Sequence, residues 1–248
     1  MKLTVVGCAP AWTRRPGRAS SCYLVEHEGR AIVLDMGQGS FAELARYRQP
    51  QSVDGVVVSH LHADHLVDLV PLRHFLKYEA GGQTAIALHG PPDLRDRLDW
   101  LCGESGFLDG LPGEPLEPGT FDVGGFHVQA GRVTHIPDSF AFRVSVPGSP
   151  GPGLVYSGDV GRADDLLPLV RPGDVLLCEA AFGAEEGAPG IHLTAADAAS
   201  VAAGGDASRL LMTHLLDRSD EDRARDAATE VYRGELSVAR PGLELSIG

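Results

Sequence analysis

Long apolar runs are missing from this 248-residue sequence, and none approaches the length of a transmembrane helix. The opening Met1-Lys2-Leu3-Thr4-Val5-Val6-Gly7-Cys8 is too short, and the residues after it too polar, to read as a secretory signal. Cysteine is sparse: Cys8, Cys22, Cys102 and Cys178 form no Cys-x-x-Cys pair and no zinc-ribbon spacing. Such usage predicts free, buried or half-buried thiols in a reducing compartment, hence a cytoplasmic protein. Basic residues are outnumbered, 21 Lys and Arg against 34 Asp and Glu, for a formal charge of -13. That balance repels a long polyanion and runs against the basic footprint of nucleic-acid binders. No repeat of solenoid period is present. The remaining composition is ordinary, 43% hydrophobic and 22% charged, and it suffices for the core of a single domain spanning 1–248.

One stretch stands out, Val56-Val57-Val58-Ser59-His60-Leu61-His62-Ala63-Asp64-His65-Leu66. Its β-branched run reads as a buried strand, and its polar cluster falls where that strand ends and a helical pattern begins. His60 and His62 are two apart, so extended backbone points them to one side. Asp64 and His65 follow at the helix start, displaced from the first pair. The stretch offers two adjacent ligand groups, the core of a two-metal site.

Along the chain, Leu3 to Cys8 is expected as an opening strand. Ser21–Glu26 and Arg30–Asp35 should form a hairpin about His27-Glu28-Gly29, and Ser40 should cap a helix running to about Arg48. A single helix is expected from Asp64 to about Glu79, stopped by Gly81-Gly82. A strand over Thr84–Leu88 and a helix from an Asp93 cap to about Leu101 come next. Residues 103–119 read as Gly- and Pro-rich loop, serving an interface or a pocket lid. Strands are expected at Thr120–Val123, Phe126–Ala130, Phe140–Val146, Leu154–Tyr156 and Asp174–Cys178, with a short helix at Leu166–Val170. An alanine-rich helix from a Thr194 cap to Ala203, a strand Arg209–Met212 and a helix Ser219–Tyr232 precede closing strands Leu236–Val238 and Leu243–Ile247. Two mixed sheets face to face with helices outside, an α/β architecture, satisfy this order. The loop after the first strand carries Arg14, Arg15 and Arg18, either incidental surface charge or a phosphate clamp at a pocket mouth.

Three further polar residues stand where apolar strands stop: His135 after Val133-Thr134, Asp159 after Tyr156-Ser157-Gly158, and His214 after Met212-Thr213. Together with His60-x-His62-x-Asp64-His65, they resemble the metal signature of the metallo-β-lactamase-fold hydrolases, in order and over essentially the whole chain. The resemblance implies a four-layer αββα sandwich holding two divalent metal ions. One ion would take His60, His62 and His135, the other Asp64, His65 and His214, with Asp159 bridging both. This donor set suits zinc, although manganese or iron can use it too. Two metals about 3.5–4 Å apart activate water and hold the attacking and leaving oxygens. Their charge exceeds that of the two aspartates, so a small anionic substrate fits the centre despite the acidic surface. The β-lactamases of this fold carry cysteine where Asp159 stands, which argues against β-lactam hydrolysis. A flavodiiron-like redox centre would need a carboxylate in place of His62.

Cys178-Glu179-Ala180-Ala181-Phe182 and Gly190-Ile191-His192-Leu193-Thr194 look like the Glu-Ala and His-Ser/Thr motifs of the phosphodiesterase branch, which includes ribonuclease Z. In that branch the histidine matching His192 protonates the leaving oxygen and the carboxylate matching Glu179 orients it. The resemblance thus makes Asp64, Glu179 and His192 the catalytic candidates. Ribonuclease Z inserts a basic tRNA-gripping arm between the elements matching His135 and Asp159, and Ile136–Gly158 leaves no room for one. Length and local sequence, including Ser21-Cys22-Tyr23-Leu24-Val25 and Tyr156-Ser157-Gly158-Asp159, resemble actinobacterial cyclic-nucleotide phosphodiesterases of this fold. That implies hydrolysis of a cyclic 3',5'-phosphodiester, such as cyclic AMP, to a 5'-nucleotide. A ribonuclease Z-like tRNA 3'-processing endonuclease and a lactonase or thioesterase of the same fold are the competing expectations. The family's frequent dimers also leave a homodimer open.

Overall fold

The computed structural model describes residues 1–81, 86–185, 187 and 190–248. Its β-branched and aromatic runs form two mixed sheets. The first contains β1 (Lys2–Gly7), β2 (Cys22–His27), β3 (Arg30–Leu34), β4 (Gly55–Val57) and β5 (Ala87–His89). The second contains β6 (Gly119–Val123), β7 (Phe126–Val133), β8 (Ser139–Ser145), β9 (Leu154–Tyr156), β10 (Val175–Glu179), β11 (Arg209–Thr213) and β12 (Glu235–Val238). A last strand, β13 (Glu244–Ser246), returns to the first sheet beside β1, giving the order β13-β1-β2-β3-β4-β5, while the second runs β12-β11-β10-β9-β8-β7-β6. Leu3, Val5, Tyr23, Ile32 and Leu34 of one sheet pack against Phe126, Phe140, Phe142, Tyr156 and Leu177 of the other. The opposite faces are covered by α1 (Ser40–Leu44), α3 (Leu69–Tyr78) and α4 (Leu94–Cys102) on the first sheet. On the second, α5 (Ala195–Gly204) and α6 (Glu221–Val231) do the same through buried alanines. The result is the expected αββα sandwich.

Strand direction decides where chemistry can sit. β3, β4 and β5 are mutually parallel, and so are β9, β10, β11 and β12. Their carboxyl ends therefore lie together, at the end of a parallel sheet where ligand sites are built. A bond from Phe140 N to Ser59 O, 3.0 Å, joins the two sheets at that end.

Several local expectations are corrected. The helix expected from Asp64 to Glu79 is two, α2 (Ala63–Leu66) and α3, broken at Val67-Asp68. Pro71 explains the break, because it has no N–H for the Val67 carbonyl and its ring would crowd that group. Asp68 starts the second helix, and its carboxylate accepts the Phe41 N–H at 2.8 Å. Ser40 is the first residue of α1, not its cap, which is Gly39, and the helix ends at Leu44. No α-helix forms over Leu166–Val170: Pro168 interrupts the donors, and a 3₁₀ turn at Ala163–Asp165 leads into further turns. β4 stops at Val57, β7 runs on to Val133, and α6 is capped by Asp220. The strand placed at Thr84–Leu88 lies at Ala87–His89, while Thr84 and the expected stop at Gly82 fall outside the described residues. Residues 103–119 are not a free lid. Phe107, Leu108 and Leu111 are buried with α3 and α4, and Arg95 donates to the Leu108 and Leu111 carbonyls at 2.9 and 2.6 Å. Thr194 caps α5 as expected, in a reciprocal box with Asp197.

Candidate metal centre

The polar cluster begins just past β4. His62 is extended (φ -76°, ψ 147°) and serves as the N-cap of α2, so His60 and His62 share one side. The first turn of α2 then carries Asp64 and His65 to the other. Strand ends on the second sheet supply the rest: His135 beyond β7, Asp159 beyond β9 and His214 beyond β11. His214 holds a left-handed conformation (φ 60°), uncommon for a residue with a side chain and a mark of an over-determined site. Gly158 (φ 56°) lets the chain before Asp159 lie against the segment past β4, since a Cβ there would lie 3.0 Å from Ser59 Cβ as well as 2.9 Å from the Phe140 carbonyl oxygen of its own sheet.

All seven residues expected as ligands converge. His60, His62, His135 and Asp159 form one group and Asp64, His65, Asp159 and His214 a second, with ligand atoms in each within 4.8 Å of one another. Both groups are able to bind a metal ion. In the first, His62 Nδ1 lies 3.1 Å from His60 Nε2 and 3.1 Å from His135 Nε2. Two nitrogens sharing a tetrahedral zinc at about 2.0–2.1 Å would stand roughly 3.3 Å apart. In the second, His214 Nε2 is 3.1 Å and His65 Nε2 3.6 Å from Asp64 Oδ2. Asp159 is shared: Oδ2 is 3.7 Å from His60 Nε2 and 3.8 Å from His135 Nε2, while Oδ1 is 3.3 Å from His65 Nε2 and 3.7 Å from His214 Nε2.

The electrostatics favour cations at this spot. Burial pushes His60, His62 and His135 below the usual imidazole range, so they are neutral, the form that coordinates. Burial opposes charge on His65 too, but Asp159 and Asp35 outweigh it and hold the ring well above its ordinary value. Asp159 stays well below the carboxylate range although buried, because His214 and His65 face it. His65 Nε2 and Asp159 Oδ1 are buried side by side without a hydrogen bond among the described residues. Each such orphan costs about 1–3 kcal/mol, a cost that a cation between them removes. The residues present therefore fit divalent metal.

One residue absent from the sequence-derived candidates underlies the cluster. Asp35, fully buried at the end of β3 in a left-handed conformation (φ 59°), accepts four hydrogen bonds. Ser59 N donates at 2.6 Å, Ser59 Oγ at 2.7 Å, His65 Nδ1 at 2.7 Å and the Tyr156 hydroxyl at 2.6 Å. The bond from Nδ1 turns Nε2 of His65 inward as the coordinating nitrogen. Ser59 Oγ also lies 3.0 Å from His60 Nδ1, so the same carboxylate orients both rings.

Glu179 and His192 also meet beside the centre. Buried Glu179 accepts from His192 Nδ1 at 2.8 Å, Val160 N at 3.0 Å and Ala181 N at 3.0 Å. His192 Nδ1 is 3.9 Å from Asp159 Oδ2. Burial works against charge on His192, yet Glu179 raises it above the usual range. The arginine loop divides: Arg15 and Arg18 line a cleft shared with Thr213 and His214, whereas Arg14 is not among its lining residues. Arg15 is partnered by Asp217 and Glu221, each at 3.6 Å. Arg18 has no carboxylate within ion-pair distance among the described residues.

The family model of the metallo-beta-lactamase superfamily matches residues 15–214, which holds all seven clustered residues. The chain belongs to that superfamily. As a member it is a metallo-hydrolase, in keeping with the donor set just described. An uncharacterised protein of Mycobacterium leprae is 32% identical over 228 residues, covering 87% of this chain and 78% of its own. The probable metallo-hydrolase YhfI of Bacillus subtilis is 28% identical over 247 residues, 98% of each chain, and its crystal structure superposes with a TM-score of 0.86. A ribonuclease Z of Haloferax volcanii is 28% identical over 305 aligned positions, covering 100% of this chain and 95% of its own. No described helix is long and apolar enough to cross a membrane.

Proposed function

We propose that this superfamily member is a single-domain, cytoplasmic binuclear-metal phosphodiesterase acting on a small substrate, a cyclic nucleotide 3',5'-phosphodiesterase of the cyclic AMP to 5'-nucleotide type. His60, His62 and His135 would hold one divalent ion, zinc by donor chemistry, and Asp64, His65 and His214 the other, with an oxygen of Asp159 toward each. When bound, two such ions supply Lewis acidity and acidified water. The observation that carries the reading is the Glu179–His192 pair. Glu179 accepts a hydrogen bond from His192 Nδ1 and favours the protonated ring, which would leave Nε2–H to be delivered to a departing oxygen. An alkoxide, such as a ribose 3'-oxygen, leaves poorly without that proton. A thioester, whose thiolate leaves readily, would not need it at the leaving atom in the same way. That Arg15 and Arg18 line one cleft with His214 supports a role for Arg18, with Arg15, in meeting a phosphate oxygen.

Two features support a small substrate over tRNA. Residues 136–158 are filled by β8, a turn and β9, with no arm between His135 and Asp159. The alignment with the archaeal ribonuclease Z runs over 305 positions against 248 residues here, so that enzyme carries segments this chain lacks. The net charge of -13 adds repulsion along a polynucleotide. Turnover of cyclic AMP, bis-p-nitrophenyl phosphate, an acyl lactone and precursor tRNA, on protein of measured metal content, tests the reading. Cyclic nucleotide hydrolysis with about two metals per chain is expected; efficient tRNA processing or dominant lactonase activity would overturn it.

A further inference from the structure

Three separate loops around the centre are locked to one glycine. Gly161 follows Asp159-Val160, and its N–H donates to the Thr134 carbonyl at 2.6 Å, one residue before His135. Its own carbonyl accepts from Gly190 N at 3.3 Å, at the start of the strap Gly190-Ile191-His192. That strap has two attachments to the site: Ile191 O accepts from His135 Nδ1 at 2.8 Å, and His192 reaches Glu179. The rings of His135 and His192 stand 5.0 Å apart, centroid to centroid. Gly161 and Gly190 are in backbone contact. A Cβ on Gly161 would fall 2.2, 2.4 and 2.6 Å from the carbonyl carbon, oxygen and Cα of Gly190, and main chain offers no flexible tip to move aside. Gly190 itself (φ 79°) has no atom of the described residues within 4 Å of where its Cβ would be, so a side chain there strains the strap without a clash against them.

We infer that Gly161 is a positioning residue through which a single strap sets both the imidazole of His135 and the proton donor His192, coupling metal retention on the His135 side to leaving-group protonation. No side chain of Gly161 touches substrate; it acts by letting the strap lie flush against Asp159-Val160-Gly161. Displacing the strap removes the acceptor that orients His135 and withdraws His192 together. The inference rests on the phosphodiesterase reading for its second half only, since the His135 contact concerns metal binding whatever the substrate.

The test compares Gly161→Ala, Gly190→Ala and His192→Ala in the full chain. One readout is the rate ratio between cyclic AMP, whose alkoxide needs a proton, and bis-p-nitrophenyl phosphate, whose phenolate does not. The other is metal retention, measured as zinc per chain after a fixed chelator challenge and as the visible spectrum of the cobalt-substituted protein. Both glycine variants are expected to lower the rate ratio at least tenfold and to lose one metal about tenfold more readily, with Gly190→Ala the milder. His192→Ala should lower the ratio alone and keep both metals. Glycine variants that move one readout without the other, or lose rate equally on both substrates with metal intact, would overturn the coupling. If His192→Ala leaves the ratio unchanged, the phosphodiesterase reading fails, whereas the metal readout still decides the role of Gly161 toward His135.

Discussion

Replacing Asp35 with Asn probes the support under the centre without touching a proposed ligand. The left-handed backbone at Asp35 (φ 59°) suits Asn, so strain contributes little to the result. With the amide oxygen in the Oδ2 position, the Ser59 Oγ, His65 Nδ1 and Tyr156 bonds persist but lose the carboxylate's charge. Each falls by about 1 kcal/mol on going from a charged to a neutral acceptor. The NH₂ group then faces Ser59 N, which sits 2.6 Å from Oδ1, and leaves that buried donor unpaired at a cost of about 1–3 kcal/mol. The sum is about 4–6 kcal/mol, a large fraction of the stability of an ordinary domain. Urea unfolding of the metal-free variant should show that loss, and chelator competition on the loaded variant should show 10–100-fold weaker metal binding, because His65 is no longer fixed in its tautomer. A variant within about 1 kcal/mol of wild type, with metal affinity changed less than threefold, would refute the assignment of Asp35 as the organiser of His60 and His65.

Glu179→Gln removes the charge that raises His192, so the protonated donor is lost at lower pH. Turnover of cyclic AMP falls as pH rises through the His192 value, and in the variant that alkaline limb should move to lower pH, read from a kcat–pH profile. Asp174→Ala strips the partner from buried Arg143, which it binds at 2.7 and 2.8 Å, and also frees Gly153 N. An uncompensated buried guanidinium predicts a loss of about 3–5 kcal/mol by urea melt, with metal content unchanged in the protein that remains folded. Arg18→Ala should raise KM for cyclic AMP about tenfold while kcat stays within twofold, the signature of one lost charge-assisted contact.

The architecture is largely legible in the sequence because each layer leaves its own periodicity. Continuous runs such as Val56-Val57-Val58 and Leu176-Leu177-Cys178 mark strands buried on both faces, and these are the parallel strands whose ends carry the site. Errors fall where a local rule is overridden within a turn. Ser40 has the chemistry of a cap, yet Gly39 takes that place in a left-handed conformation and Ser40 is buried. The apolar spacing of Leu66, Leu69, Leu72 and Leu76 is continuous through the break, so periodicity alone runs the helix past Pro71. The turn-rich segment 103–119 reads as loose because its buried Phe107, Leu108 and Leu111 follow no regular period.

The seven clustered residues are legible for a physical reason: they follow the ends of four apolar strands, β4, β7, β9 and β11, and polar side chains at such positions must have a partner or a function. The same criterion applies to Asp35, which closes the run Ala31-Ile32-Val33-Leu34 and directly follows β3, a strand parallel to β4. It passes unnoticed because Asp35-Met36-Gly37 has the composition of an ordinary turn, and its donors come from far along the chain. Ser59 is 24 residues away, His65 is 30 and Tyr156 is 121. The parallel pairing of β3 with β4 brings Ser59 and His65 to this carboxylate, and the stacking of the second sheet brings Tyr156. The His60–His65 stretch supplies the chemistry, but a correctly turned imidazole depends on an acceptor that no spacing within the stretch can specify. A polar residue at the carboxyl end of any parallel strand should therefore be weighed together with the strand beside it, since that neighbour, and not the adjacent sequence, decides what it holds.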